Sequence, residues 1–349
     1  MTYANTREND MKRKLFWGIL LLAVLAIVPV HTAIPAAAAQ KSVDETQAVK
    51  PDGVVQISNV AGSVRVVSWE KSEVHLSGEL EENVERVDFE VRDGRTSIRV
   101  VIREHAHGDS AAYLTVSAPS ASSLEIDAVS ASVNIEDGAP PELERPMRQS
   151  VYARSVSGEV GVNTWASAVE LKSVSGDVAF SGAAETLDAE TVSGNIQCTG
   201  AHSADVRTIS GDIKVANADS VKSRSTSGDL TASNIRHDAE ASSVSGDMEM
   251  TVASMNKVSA QTVSGDVSME GSLAPAGRLT ASAQSGDVDV SFPPEVSAEF
   301  DIHTMSGEVE TEFGIKSNGI NRNLNFALGS GDGYVRISTT SGDISINKL

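Results

Sequence analysis

Ten carboxylate or amide side chains recur in this sequence, each placed directly after a Ser-Gly pair. They are Glu159, Asp177, Asn195, Asp212, Asp229, Asp247, Asp266, Asp287, Glu308 and Asp343. No other residues are so regularly placed to do chemistry. Stacked carboxylates can hold divalent cations, and the candidate cation ladder is Asp177, Asp212, Asp229, Asp247, Asp266 and Asp287. Calcium, however, wants six to eight convergent oxygens. One acid per copy, with no Gly-Gly-x-Gly-x-Asp nonapeptide, does not supply them. Neighbouring charges ~5 Å apart in water repel by only about 1 kcal/mol, so no cation is required. A solvated turn residue is the simpler reading.

Paired carboxylates also suggest glycoside hydrolysis, where retaining enzymes set two carboxyls ~5–5.5 Å apart. In a stacked repeat every neighbouring pair meets that distance, so the spacing is uninformative. A catalytic site would break the repeat with an odd cluster of acids and a basic partner, and the sequence carries none. The expectation is a non-catalytic protein with no catalytic residue and no cofactor. His105 and His107, beside Glu104 and Asp109, could present two imidazoles to a metal, yet a polar turn before the strand at Tyr113 accounts for them too. His75, His202, His237 and His303 are scattered. Cys198 is the single cysteine, which rules out an intramolecular disulfide. It stands where other copies have Phe180, Val215 or Met250, the place of an apolar filler. Trp69 and Trp165 read as packing residues, with Trp165 in an irregular return where exposure is possible.

The elements that position these acids repeat with them. Ser-Val-Ser-Gly-Glu at 155–159 returns as Ser-Val-Ser-Gly-Asp, Thr-Ile-Ser-Gly-Asp and close relatives, with glycines at 158, 176, 194, 211, 228, 246, 265, 286 and 307. Steps of 17 to 21 residues mark a solenoid. Apolar residues alternate on both flanks: Val169 and Leu171 before a Ser-Gly, Val178 and Phe180 after it. Period two means a half-buried strand on each side of a turn, and glycine at the turn takes positive φ without penalty. One unit cannot bury its apolar face, whereas copies stacked ~4.8 Å apart build a continuous core. The predicted fold is all-β, a single-stranded parallel β-solenoid of about 18-residue rungs, right-handed or flattened, with two or three strands per rung. Two residues before the repeat serine lies Ser or Thr in most copies, on the same face as the apolar positions. These predict an internal ladder of stacked hydroxyls.

Six segments follow in order. Residues 1–39 read as a secretory signal peptide, with basic Lys12, Arg13 and Lys14, an apolar run over 15–30 and small residues at 36–39. Met11 is the natural start, and with no cysteine at the cleavage site a lipoprotein is not expected. Residues 40–53 read as a polar leader and 54–136 as an irregular β region that caps the solenoid, including a rung whose glycine has become Ala131. Residues 137–150, with Pro140, Pro141 and Pro146, read as a surface loop, and 151–310 as the regular solenoid. In 311–349 a Gly- and Asn-rich loop precedes a final Ser-Gly-Asp unit, expected as an open terminal rung through which copies self-associate.

The whole chain carries a net charge of −20. Without residues 1–39, 24 basic residues face 46 acidic ones, a net charge of −22. Such a surface repels nucleic acid, and no transmembrane span remains. The segment from Val64 to Gly78, containing Val-Val-Ser-Trp at 66–69, followed by reiterated Ser-Gly-Asp-Val units, resembles a family of exported bacterial β-strand-repeat proteins. They are known as "putative adhesins", are of unknown function, and are related to toast-rack domains of envelope-stress loci. The resemblance spans residues 54–349. It implies a β-solenoid-like fold and a location in the periplasm or on the cell surface, and it brings no catalytic residues. The expected role is an adhesin-like binding surface or scaffold for an envelope protein or polysaccharide. An accessory or sensor protein of envelope-stress signalling is the alternative, and a glycan-active β-helix enzyme a second one.

Overall fold

In the computed structural model the described residues are 41–104, 109–138, 147–314 and 322–349. They form strands and turns, with no helix. Alternation sets the layout. In the strand Val160–Lys172, Val160, Val162, Thr164 and Ala166 point inward, then two successive unburied residues shift the phase before Val169 and Leu171 return to the core. That phase shift is a bend. Each rung therefore has two half-strands that meet at the Ser-Gly-Asp corner, and a bend leads into the next rung.

Rungs stack in parallel and in register. Val160–Lys172 pairs with Val178–Glu190 from Val160↔Val178 to Lys172↔Glu190, and Val178–Glu190 pairs with Ile196–Arg207. The same pattern continues through Met248–Ser264 and Val267–Ser285. The buried side chains of all rungs join in one apolar core. Cys198 sits in it between Phe180 and Val215 of the adjacent rungs, and burial pushes its thiol up to about 12.

Both ends depart from simple winding. At the N-terminal end, Val54–Trp69 lies between two later segments. Ser123–Glu136 pairs along one edge; Arg95–Ile102 and Ala112–Pro119 pair along the other, all in parallel. Antiparallel strands then cover this end: Val84–Arg92 on Arg95–Ile102, and Glu73–Leu80 on Ala112–Pro119, with Lys41–Ala48 outermost. The expected polar leader is thus corrected over Lys41–Ala48, which form a strand. Being an edge strand it buries little, so its sequence lacks the apolar alternation that betrays the others.

The C-terminal end corrects the expected open terminal rung. The last unit, Gly333–Ser341 and Ile344–Lys348, pairs with Val267–Ser285 and Val288–Phe292 on one side. On the other it pairs with Ala298–Ser306 and Val309–Thr311, which precede it in the chain. The final unit is internal to the stack, and its backbone groups are paired on both sides. Asn323–Leu328, expected as loop, pairs antiparallel with Ala298–Ser306 and stacks Phe326 on Phe300, ring centroids 4.6 Å apart.

The expected surface loop over 137–150 is corrected at its ends, where Asp137 and Arg148 are both buried. The Arg148 guanidinium has no exposed surface; it donates to Asp137 Oδ2 (2.9 Å) and Oδ1 (2.8 Å) and to the Ser122 carbonyl (2.6 Å). Ser68 and Thr164 hydroxyls complete the shell around Asp137.

Candidate functional site

The repeated corner is the feature that every rung presents, and its geometry separates structural from surface residues. In the rungs before Gly211 the buried Ser or Thr ahead of the corner works with glycine. Ser173 Oγ accepts from the Gly176 N–H (2.9 Å), and Thr191 Oγ1 of the next rung donates to the Gly176 carbonyl (3.1 Å). The expected hydroxyl-to-hydroxyl ladder is therefore corrected: the acceptor is the glycine carbonyl one rung below, which the inward hydroxyl reaches directly. From Gly211 onward the corner changes. Gly228 and Gly246 take φ of +135° and +140° and donate to Ser245 and Ser264 carbonyls of the following rungs. In that stretch Ser225, Ser243 and Thr262 hydroxyls have no hydrogen-bond partner.

The corner acids do line up as expected. Asp177 Oδ1 accepts from the Asn195 N–H (2.8 Å), Asn195 Oδ1 from Asp212, and so on through Asp229, Asp247, Asp266 and Asp287. The ladder then passes to Asp343 and only afterwards to Glu308, following the inserted final rung. From Asp177 to Asp343 one side-chain oxygen per rung holds the next rung's backbone, a role the amide of Asn195 fills equally well. Among the described residues, no three His, Cys, Asp or Glu converge as a metal-holding group. The bond, not the charge, is what the corner uses. Asp247→Asn is expected to leave thermal stability unchanged, while Asp247→Ala, which frees the Asp266 N–H, should cost about 1 kcal/mol. Urea unfolding of residues 40–349, with calcium or with chelator, checks both, and calcium should add nothing beyond its ionic strength.

The other candidates are dispersed. His105 and His107 lie outside the described residues. His202 pairs with Asp219 (2.6 Å), His75 sits 3.0 Å from the Thr46 hydroxyl, and His303 contacts Asn323. Trp69 donates to the Glu73 carbonyl (2.8 Å), and Trp165 is half-buried on its strand.

The corner also carries a surface feature distinct from its acids. The residue between the two hydroxyls of each phrase points outward, and it is apolar in most copies. Val60, Val129, Val156, Val174, Val192, Ile209, Val244, Val263 and Met305 are exposed, from 37 to 62 %. They form a ridge along the corner, one side chain per rung, broken at Thr226, Gln284 and Thr340. Where Val60 to Val192 stand, the ridge walls a groove of about 700 Å³, rimmed by Arg99, Arg154 and Lys172 and by Asp127 and Glu190. Alternation could have found it: if Ser155 faces the core, Val156 cannot.

The sequence matches the Toastrack DUF4097 family over residues 49–273 and again over 243–347. The chain belongs to that family. The Toastrack match covers the stacked rungs and both irregular ends, in keeping with a β-solenoid-like repeat fold. No curated protein matches this Toastrack chain. Among solved structures it is similar to a "putative adhesin" from Parabacteroides distasonis, at 12 % identity over 88 % of this chain and 97 % of that one, with a TM-score of 0.34. It is similar too to a "putative cell adhesion protein" from Clostridium sporogenes (11 %, 88 % and 100 %, TM-score 0.24). A third, also from Parabacteroides distasonis, is named a "putative lipid binding protein" (14 %, 88 % and 97 %, TM-score 0.33). These scores are low, and family membership rests on the sequence match alone. No helix among the described residues is long and apolar enough to cross a membrane.

Proposed function

We propose that this Toastrack chain is a non-catalytic, exported envelope protein, a flattened solenoid that acts as an adhesin-like binding surface or scaffold. The observation that supports this reading is the exposed apolar ridge. Core residues are explained by packing, and the corner acids by backbone hydrogen bonds. A run of valines held in water on successive rungs is explained by neither, and contiguous exposed apolar surface marks an interaction site. Residues on rigid strands keep their positions when a partner arrives, which lowers the entropic cost of docking.

Cosedimentation of residues 40–349 with purified envelopes of a Gram-negative bacterium tests the reading. The wild-type chain is expected in the pellet. The triple variant Val156→Ser, Val174→Ser, Val192→Ser should bind at least tenfold more weakly with an unchanged melting temperature, since exposed substitutions shift stability little. Wild-type protein left in the supernatant, or equal binding by the variant, would overturn the proposal.

A further inference from the structure

Three adjacent rungs near the C-terminal end carry a surface patch whose chemistry runs against the acidity of the chain. Lys257 stacks on Arg278, Arg278 on Tyr334, and Thr280 on Arg336. All lie on the outer face of the half-strand that precedes the corner. Ser282 and Ser338 continue this face toward the corner, so that cations, hydroxyls and one aromatic ring share a shallow groove of about 470 Å³. None of the outward residues on these three half-strands is acidic.

Elsewhere on the same face cations are matched. Lys172 meets Glu170 at 2.6 Å, Arg207 meets Asp205 at 2.6 Å, and Lys222 meets Glu240 at 2.9 Å. Among the described residues Lys257 and Arg278 form no ion pair. Arg278 lies over the Tyr334 ring, 5.2 Å from its centroid, and Arg336 reaches only Asp301, at 3.8 Å on the bordering rung. Tyr334 is itself fixed by its hydroxyl, which donates to Asp301 (3.1 Å). The apolar ridge is also interrupted here: the corner residues of the two rungs bearing Arg278 and Arg336 are Gln284 and Thr340.

We infer that this patch binds an acidic polysaccharide strand. Guanidinium groups take carboxylates or sulfates bidentately. The hydroxyls of Thr280, Ser282 and Ser338 can both donate and accept, which suits sugar hydroxyls rather than a simple anion. The rung spacing of ~4.8 Å is close to the length of one sugar unit, so successive rungs can meet successive residues of an extended glycan. An acidic surface on either side excludes polyanions from the rest of the face and directs them to this groove.

The test measures binding of residues 40–349 to polygalacturonate (carboxylated) and heparin (sulfated), at about 0.15 M ionic strength, where the Debye length is ~8 Å. Neutral dextran and poly-glutamate are the controls. At least one acidic glycan should bind, and the two arms separate carboxylate from sulfate. Dextran should not bind, and poly-glutamate should bind at least tenfold more weakly. Arg278→Ala with Arg336→Ala should reduce glycan binding at least tenfold. Lys222→Ala with Arg224→Ala, cations on the same face that have carboxylate neighbours, should change it less than twofold. Absence of binding to both glycans, binding that survives the Arg278/Arg336 change, or equal binding of poly-glutamate would overturn the inference. The ridge variant keeps this groove intact, so failure here and failure of the envelope test are separate results.

Discussion

Replacing Arg148 by alanine is expected to lower the stability of residues 40–349 by about 3–5 kcal/mol, the range found when one partner of a buried ion pair is removed. The change strands more than a charge. Asp137 keeps its carboxylate in a site that is only 8 % exposed, and the Pro119 and Ser122 carbonyls lose their donor. The pH dependence distinguishes this from a simple packing defect. Burial pushes the Asp137 carboxyl up, but the hydrogen bonds and charge of Arg148, with the Ser68 and Thr164 hydroxyls, outweigh it and hold the group below its ordinary 3.8. A depressed pKa contributes stability that is present above the unfolded value and lost as pH falls through the folded one. In Arg148→Ala burial is opposed only by the Ser68 and Thr164 hydroxyls, the carboxyl rises, and protonation relieves the stranded charge. The stability gap between wild type and variant should therefore narrow from pH 7 toward pH 3. Urea unfolding across that range measures it, and a gap independent of pH would refute the ion-pair account.

Gly246→Ala carries the second large effect, for two reasons that add. The residue sits at φ +140°, a conformation that L side chains rarely adopt. A methyl group there would also lie 2.2 Å from the Gly228 carbonyl oxygen, well inside van der Waals contact. Backbone strain alone costs of order 1–3 kcal/mol, and the clash must also lift one rung from the next, disturbing the Asp229-to-Asp247 bond. A loss of about 3 kcal/mol or more is expected, seen as a drop in the urea midpoint. Gly176 separates the two causes. Its φ is not positive, yet a methyl group would meet the Gly158 oxygen at 2.1 Å. If Gly176→Ala destabilises comparably, close stacking rather than turn conformation explains why glycine recurs.

That distinction shows where sequence reasoning reached and where it stopped. The period, the strands flanking each turn and the Ser-Gly-Asp corner were legible because alternation and glycine spacing are written locally, while the choice between two and three strands per rung was not. Three things were not local. The reason for glycine is a contact with the rung below, some 18 residues away in the chain. The partners of the hydroxyls and corner acids are backbone groups, which no residue type announces. Arg148 and Asp137 bracket a proline-rich stretch that looks wholly exposed, and only the fold turns both inward. The ridge is a different case: the alternation that buries Ser155 already requires Val156 to face water, so this feature is written in the sequence itself.

The position of the last unit bears on how the chain reaches its final form. Gly333–Ser341 lies between Val267–Ser285 and Ala298–Ser306, although both are synthesised first. A protein wound rung upon rung as it is synthesised would place Ala298–Ser306 directly on its predecessor, leaving no slot for the late arrival. That earlier docking must wait or be undone, so stacking order and synthesis order part company at this end. The same holds at the other end, where Val54–Trp69 acquires neighbours on both edges from segments made after it. The middle rungs can grow by simple addition. The two ends close only once distant segments have arrived, so end closure depends on later synthesis in a way that rung addition does not.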